Sequence, residues 1–174
     1  MDKKKDENDK KDIDWEEYGP DLIEAFRPDN EEGVGQYCRA LRVADACEGY
    51  VVDIGAGDGF ISHKIMQRAH PVLAIDISKE RVENIKKRYC IRSEVGDVRK
   101  LELSDQSYDT VVMTELLEHF DNPAIPLSEA FRIAKKKVIV TLPLEYFDDK
   151  DPTHKWKVRA EIIANKFVML EFIR

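Results

Sequence analysis

Val51-Val52-Asp53-Ile54-Gly55-Ala56-Gly57-Asp58-Gly59-Phe60 joins an apolar run to three alternating glycines and then to an amphipathic stretch. The apolar run predicts a buried strand, the later stretch predicts a helix, and the glycines predict a sharp turn between them. Such a turn lets backbone N–H groups approach a ligand closely at a helix N-terminus. The turn is therefore expected to bind a small molecule. Its Gly-x-Gly-x-Gly spacing differs from the Gly-x-Gly-x-x-Gly of dinucleotide sites, and no Gly-Lys-Ser/Thr follows, which excludes a P-loop on motif grounds. Asp58, inside the turn, would repel a pyrophosphate and welcome an amino-acid ammonium.

Outward from this turn, strands and helices alternate. Helices are predicted at Gly35–Ala46, with Tyr37, Leu41 and Ala44 on its buried face, and from about Gly59 to Arg68. A strand follows at Val72–Ile75 with Asp76 at its carboxyl end. Ser78 is expected to cap a charged helix whose Val82 and Ile85 face inward. Short strands are predicted near Tyr89–Arg92 and at Thr110–Met113. A helix at Leu127–Ala134 then leads into a buried strand at Lys137–Leu142. One more helix is read at Val158–Asn165 and a final strand at Phe167–Ile173. This alternation predicts an α/β fold: an open, mostly parallel, Rossmann-like sheet with helices on both faces. Ligands in such sheets bind outside the carboxyl ends of the strands, where every candidate residue below falls.

With 174 residues and 43% hydrophobic content, the chain fits one globular domain, expected over residues 18–174. Residues 2–17 carry five lysines and eight acidic residues, which predicts that 1–17 form a charged, disordered tail. Trp15, Tyr18, Leu22, Ile23 and Phe26 are placed to dock a short helix on the domain, with Pro20 near its first turn. A net charge of -7 argues against a broad nucleic-acid-binding face. Cys38, Cys47 and Cys90 are too few and too scattered for a disulfide framework and suit reduced thiols in a cytoplasmic protein. No apolar run approaches the roughly 20 residues of a membrane span.

Three carboxylates describe the ligand. Asp53 ends the first strand, where it can reach a cationic group directly or through water. Asp76 ends the second strand, where a carboxylate can accept both hydroxyls of a ribose. Asp97, in Glu94-Val95-Gly96-Asp97-Val98, is placed to accept from an adenine amino group. Together they call for an adenosine with a positively charged, amino-acid-like tail. In the Asp53–Gly59 loop, Asp76, Gly96-Asp97, Tyr108–Met113, Leu117-Glu118-His119-Phe120 and Val140-Thr141-Leu142-Pro143, the chain resembles the class I S-adenosylmethionine-dependent methyltransferases, of the type 11/25 kind. The resemblance spans roughly residues 34–173. It implies S-adenosyl-L-methionine as cofactor, with Asp53, Gly55, Ala56 and Gly57 along its methionine part and Asp76 on its ribose. It also implies Ile77, Asp97 and Val98 around the adenine, and Thr114 as a further cofactor contact. The usual family sheet has seven strands, and after Val158–Asn165 only one strand is read here. The sequence therefore predicts that the last strand is missing, with a sheet edge open to a partner such as a second copy.

The acceptor side is carried by Thr114-Glu115-Leu116-Leu117-Glu118-His119. Glu118, His119 and the later His154 are the candidate catalytic groups, and Tyr146 and Trp156 are candidate pocket walls. The resemblance implies methyl transfer to an undetermined oxygen, nitrogen or carbon acceptor, chiefly a small molecule. No metal is expected on that reading. If the segment were helical, Glu115, Glu118 and His119 would share a face. With His154 they would then resemble the metal-binding set of methyltransferases that modify the terminal 2′-hydroxyl of small RNAs. A non-catalytic subunit that binds S-adenosylmethionine is the remaining alternative.

Overall fold

Asp53 of β1 (Val51–Ile54) has Ala74 of β2 (Val72–Asp76) on one side and Val112 of β4 (Tyr108–Thr114) on the other, all three strands parallel. These strands are the centre of a seven-stranded sheet. The computed structural model of the chain describes residues 31–143, 157–163 and 167–173. The other strands are β3 (Arg92–Val95), β5 (Ala134–Pro143), β6 (Lys157–Ile163) and β7 (Phe167–Ile173). The strand order is β3-β2-β1-β4-β5-β7-β6. β7 runs antiparallel to both β5 and β6.

The faces of the sheet follow from the alternation of side chains along each strand. On one face, Val51, Val112, Ile139 and Met169 pack against Ala40, Val43, Ala44, Ile61 and Ile65. Those residues belong to α1 (Glu31–Ala46) and α2 (Phe60–Gln67). α3 (Lys79–Tyr89) sets Ile85 and Tyr89 beside Ala74 on the same side. On the opposite face, Val52, Ile54, Val111, Met113 and Val138 meet Ala130 and Ile133 of α4 (Ala124–Ile133) together with Val98 and Leu101. The sheet is thus covered on both faces and leaves its strand ends open, as the alternation predicts.

Ser78 caps α3 by accepting from the Arg81 N–H at 3.3 Å, and Val82 and Ile85 are buried, both as expected. Four expectations need correction. The core stripe of α1 is Ala40, Val43, Ala44 and Cys47; Ala44 is buried as expected, but Tyr37 and Leu41 are not part of the stripe. Tyr37 instead turns toward the Phe60 ring, 6.2 Å away between centroids. β3 starts at Arg92 rather than Tyr89, because α3 continues until Cys90 takes a left-handed backbone (φ 55°). The segment read as a helix at Val158–Asn165 begins as strand β6. The described residues therefore form a seven-stranded sheet, and the missing last strand is overturned.

The physical reason lies in Lys157-Val158-Arg159-Ala160-Glu161-Ile162-Ile163. Lys, Arg, Ala and Glu are good helix formers. Yet Val, Ala and Ile alternate with charged residues at the period of a strand, and the β7 ladder overrides propensity. The outer strand on that side is β6, so β7 is interior and the chain completes its own sheet. The fourth correction, the conformation after β4, belongs to the site. The expected tail at 1–17, the docking helix around Trp15–Phe26, and Tyr146, His154 and Trp156 lie outside the described residues.

Candidate active site

β1 delivers the chain to Gly55 at the carboxyl edge of the sheet. There the N–H groups of Gly55 and Ala56 both donate to the Ile75 carbonyl, at 2.8 and 2.9 Å. The turn then needs positive φ at Gly55 (74°), Gly57 (58°) and Gly59 (85°), which only glycine adopts without strain. A Cβ on Gly55 would meet Leu116 at 2.8 Å, and one on Gly59 would meet Ile85 at 2.7 Å, whereas Gly57 faces open space. Gly55 and Gly59 therefore serve packing as well as the turn. Gly57 presents bare backbone. Asp58 accepts from the Phe60 N–H at 3.0 Å and helps start α2.

Asp76 is the hinge of this region. Its Oδ2 accepts from the Gly57 N–H and its Oδ1 from the Ser78 N–H, both at 2.9 Å. Arg81 stands 3.7 Å from Oδ2, and the Asp76 side chain is only 4% exposed. Two backbone donors from two loops orient the carboxylate, and each oxygen keeps a further lone pair for a ligand hydroxyl. A cleft of about 380 Å³ is lined by its two backbone donors, Gly57 and Ser78, together with Asp58, Arg81 and Asn84. Next to Asp76, Ile77 is 70% exposed and Val95 56%. Two exposed apolar side chains at adjoining strand ends suit the flat face of an aromatic ring. Val95, which the sequence reading did not single out, is the β3 partner of Asp76.

The other predicted cofactor residues separate by depth. Asp53 lies wholly buried beneath the turn, not on its rim. Its Oδ2 accepts from Ser62 Oγ at 2.6 Å, while Oδ1 is enclosed without a hydrogen-bond partner. Burial pushes its pKa up to about 6 against the pull of the Ser62 hydrogen bond, with Asp58 and Asp76 adding to the rise. An enclosed, half-satisfied carboxylate below the turn suits a cationic group or a bridging water. Ala56 and Val98 are buried in the core. Asp97 is half-exposed and pairs with its neighbour Arg99, whose side-chain and backbone hydrogen bonds hold it down at about 2. Gly96 lets β2 and β3 close together, because a Cβ there would meet Ile75 at 2.8 Å and Leu101 at 2.9 Å.

On the acceptor side, Thr114 ends β4 opposite Thr141 of β5. The chain then turns through Glu115 in a left-handed conformation (φ 47°) and forms only a short 3-10 turn at Leu117–His119. An α-helical Glu-x-x-Glu-His face is therefore not what the structure builds. His119 is exposed, and Glu118 keeps Oε2 enclosed without a hydrogen-bond partner. Glu115 is tied down, its Oε1 lying 3.1 Å from Arg39 Nη1 and accepting from Thr141 Oγ1 at 3.0 Å. Burial raises its pKa, opposed first by Arg39. Arg39, on α1, is 8% exposed. Burial lowers its pKa while Glu115, Glu118 and Asp53 oppose that shift. The one sequence signal for Arg39 was a cation set among the buried positions of an apolar helix face. Among the described residues, no group of three or more His, Cys, Asp or Glu side chains is arranged to hold a metal ion.

A model of the methyltransferase domain matches residues 52–142, from β1 through β5. The chain belongs to that family, the class I S-adenosylmethionine-dependent methyltransferases. Among curated relatives, malonyl-[acyl-carrier protein] O-methyltransferase of Hamiltonella defensa is 27% identical over 133 residues, covering 75% of this chain and 52% of that protein. A probable S-adenosylmethionine-dependent methyltransferase of Mycolicibacterium smegmatis is 31% identical over 96 residues, covering 54% and 37%. The chain thus spans about half, or less, of the length of these relatives. The fold matches magnesium protoporphyrin IX methyltransferase from Synechocystis, solved with bound S-adenosylhomocysteine. That match has a TM-score of 0.67 and 18% identity, over 83% of this chain and 85% of the other. No helix among the described residues is long and apolar enough to cross a membrane.

Proposed function

We propose that this chain transfers the methyl group of S-adenosyl-L-methionine to a small-molecule acceptor. The observation that carries it is Asp76, a nearly buried carboxylate fixed by the Gly57 and Ser78 N–H groups at the end of β2. The residues fit the cofactor by their chemistry. Asp76 accepts the ribose hydroxyls, Ile77 and Val95 supply apolar surface to the adenine, and the Asp97-Val98 loop borders it. Gly55 and Gly57 allow close approach of the methionine part, Asp53 Oδ1 supports the ammonium from below, and Thr114 closes the far side.

Bound S-adenosylmethionine supplies an already activated methyl group, so the protein's task is orientation and charge placement. Glu118 and His119 stand at the carboxyl end of β4, and we assign them to orienting the acceptor and taking its proton. His154, which lies outside the described residues, is a third group to test for that role. The names of relatives guide the choice of acceptors. They include the malonyl O-methyltransferase above and a ubiquinone/menaquinone biosynthesis C-methyltransferase of Desulfotalea psychrophila, 31% identical over 100 residues, 54% of this chain and 40% of that protein.

The test has two parts. Calorimetry should show S-adenosylhomocysteine binding to the native chain, with affinity weakened about 100-fold in Asp76→Ala, as expected for losing two charge-assisted hydrogen bonds. An unchanged affinity would refute the cofactor assignment. Labelled S-adenosylmethionine is then offered with acyl-carrier-bound malonyl groups, quinone precursors and a metabolite extract. Cofactor binding without transfer to any of them would favour a non-catalytic binding subunit.

A further inference from the structure

We infer that Arg39 is the resident cation of the acceptor-side carboxylates, filling with a guanidinium the place a divalent metal would need in a Glu-x-x-Glu-His block. Glu115 Oε1 already holds two partners, Arg39 Nη1 at 3.1 Å and Thr141 Oγ1 at 3.0 Å. A metal would have to bind this carboxylate at roughly 2.0–2.6 Å, beside a buried positive charge on the same oxygen. Repulsion in so enclosed a position opposes that strongly. The backbone opposes it too, because Glu115 has positive φ and only Leu117–His119 coil. Glu115, Glu118 and His119 therefore do not share a helical face.

Arg39 suits the role. It is nearly buried on α1, and Glu115, Glu118 and Asp53 all act on it electrostatically. A planar guanidinium keeps its charge when buried and can serve several acceptors at fixed angles. The pairing also has a mechanical consequence. Glu115 is held by its own N–H on the Thr141 carbonyl at 3.1 Å and by its side chain on Arg39 and Thr141. That over-determination keeps a non-glycine residue left-handed and sets the following residue, Leu116, against Gly55. Arg39 is thus a positioning residue that acts through Glu115 and links α1 to the glycine turn.

Two readouts test this. In the first, the native chain and E115Q are titrated with micromolar MnCl2, and free Mn²⁺ is followed by electron paramagnetic resonance. We expect no Mn²⁺ uptake that depends on Glu115, so any uptake shared equally by E115Q lies elsewhere and agrees with the inference. Stoichiometric Mn²⁺ bound by the native chain and lost in E115Q would overturn it. In the second, S-adenosylhomocysteine affinity should fall about tenfold in R39M and in E115Q, with no further loss in the double variant, because both changes break one coupled unit. R39K should recover part of the loss. Additive losses would overturn the positioning role. If R39M fails to fold, the Mn²⁺ titration of the native chain and E115Q decides alone. This second readout rests on the proposed cofactor. Failure of the native chain to bind S-adenosylhomocysteine would refute that proposal, while the Mn²⁺ result would still decide this one.

Discussion

The glycine turn after β1 and the segment after β4 lie at the same end of the sheet but are assembled from different materials. The turn is mostly backbone. Its N–H groups, its three left-handed glycines and the carboxylate of Asp76 are fixed by neighbours in the chain or across one strand pair. The segment after β4 is mostly side chain. Glu115 takes its geometry from Arg39 on α1 and Thr141 on β5, which are 76 and 26 residues away in sequence. A backbone-built site tolerates few residue types and leaves a motif. A side-chain-built site can be re-formed from many residues, and its chemistry changes with its partners. The methyltransferase family can thus keep one cofactor region while varying what lies opposite.

The sharpest way to break this contrast is at the glycines themselves. Gly59→Ala combines a φ of 85° with a Cβ 2.7 Å from Ile85, and should destabilise the fold by about 3 kcal/mol. Gly57→Ala has the same strain in open space and should cost only about 1 kcal/mol. Denaturant melts of the two variants measure the difference, and equal losses would mean that packing plays no part at Gly59.

Asp53→Asn probes the floor of the turn. The folded value of about 6 lies above the ordinary 3.8, so the folded state holds the proton more tightly than the unfolded state. The stability this group contributes is full below pH 3.8 and is lost as pH rises through 6. A neutral amide escapes that loss. The variant should be more stable than the native chain by about 2 kcal/mol at pH 8 and no better at pH 4, while binding S-adenosylhomocysteine less well. Thermal melts across that pH range check the sign, and a pH-independent difference would contradict it.

The smaller effects compare sides. His119→Ala should lower methyl transfer while leaving S-adenosylhomocysteine affinity within about twofold, since an exposed side chain adds little to a site it does not line. Asp97→Ala should also change that affinity by no more than about twofold, because its carboxylate is half-exposed and already paired with Arg99. A large loss at Asp97 would shift weight from Asp76 to the adenine loop.

The turn, the strand-end carboxylates, the Ser78 cap and the parallel core were legible in the sequence, because each rests on residues close together in the chain. Gly55, Gly57 and Gly59 require a conformation that other residues resist, and Val138-Ile139-Val140 can be satisfied only by burial on both faces. Those constraints are local, so they leave a pattern. Three features were not legible. β6 consists of helix-forming residues, and only the β7 ladder makes it a strand. Asp53 stands at a strand end in sequence, but α2 closes over it and turns a rim carboxylate into a buried one. Glu115 reads as one face of a metal-binding helix until Arg39 arrives from α1. The sequence by itself determined the parallel core of the sheet and the glycine turn. Only the tertiary structure decided which carboxylates are open, which are buried and which already hold a cation, because burial and ion pairing depend on groups brought together from distant parts of the chain.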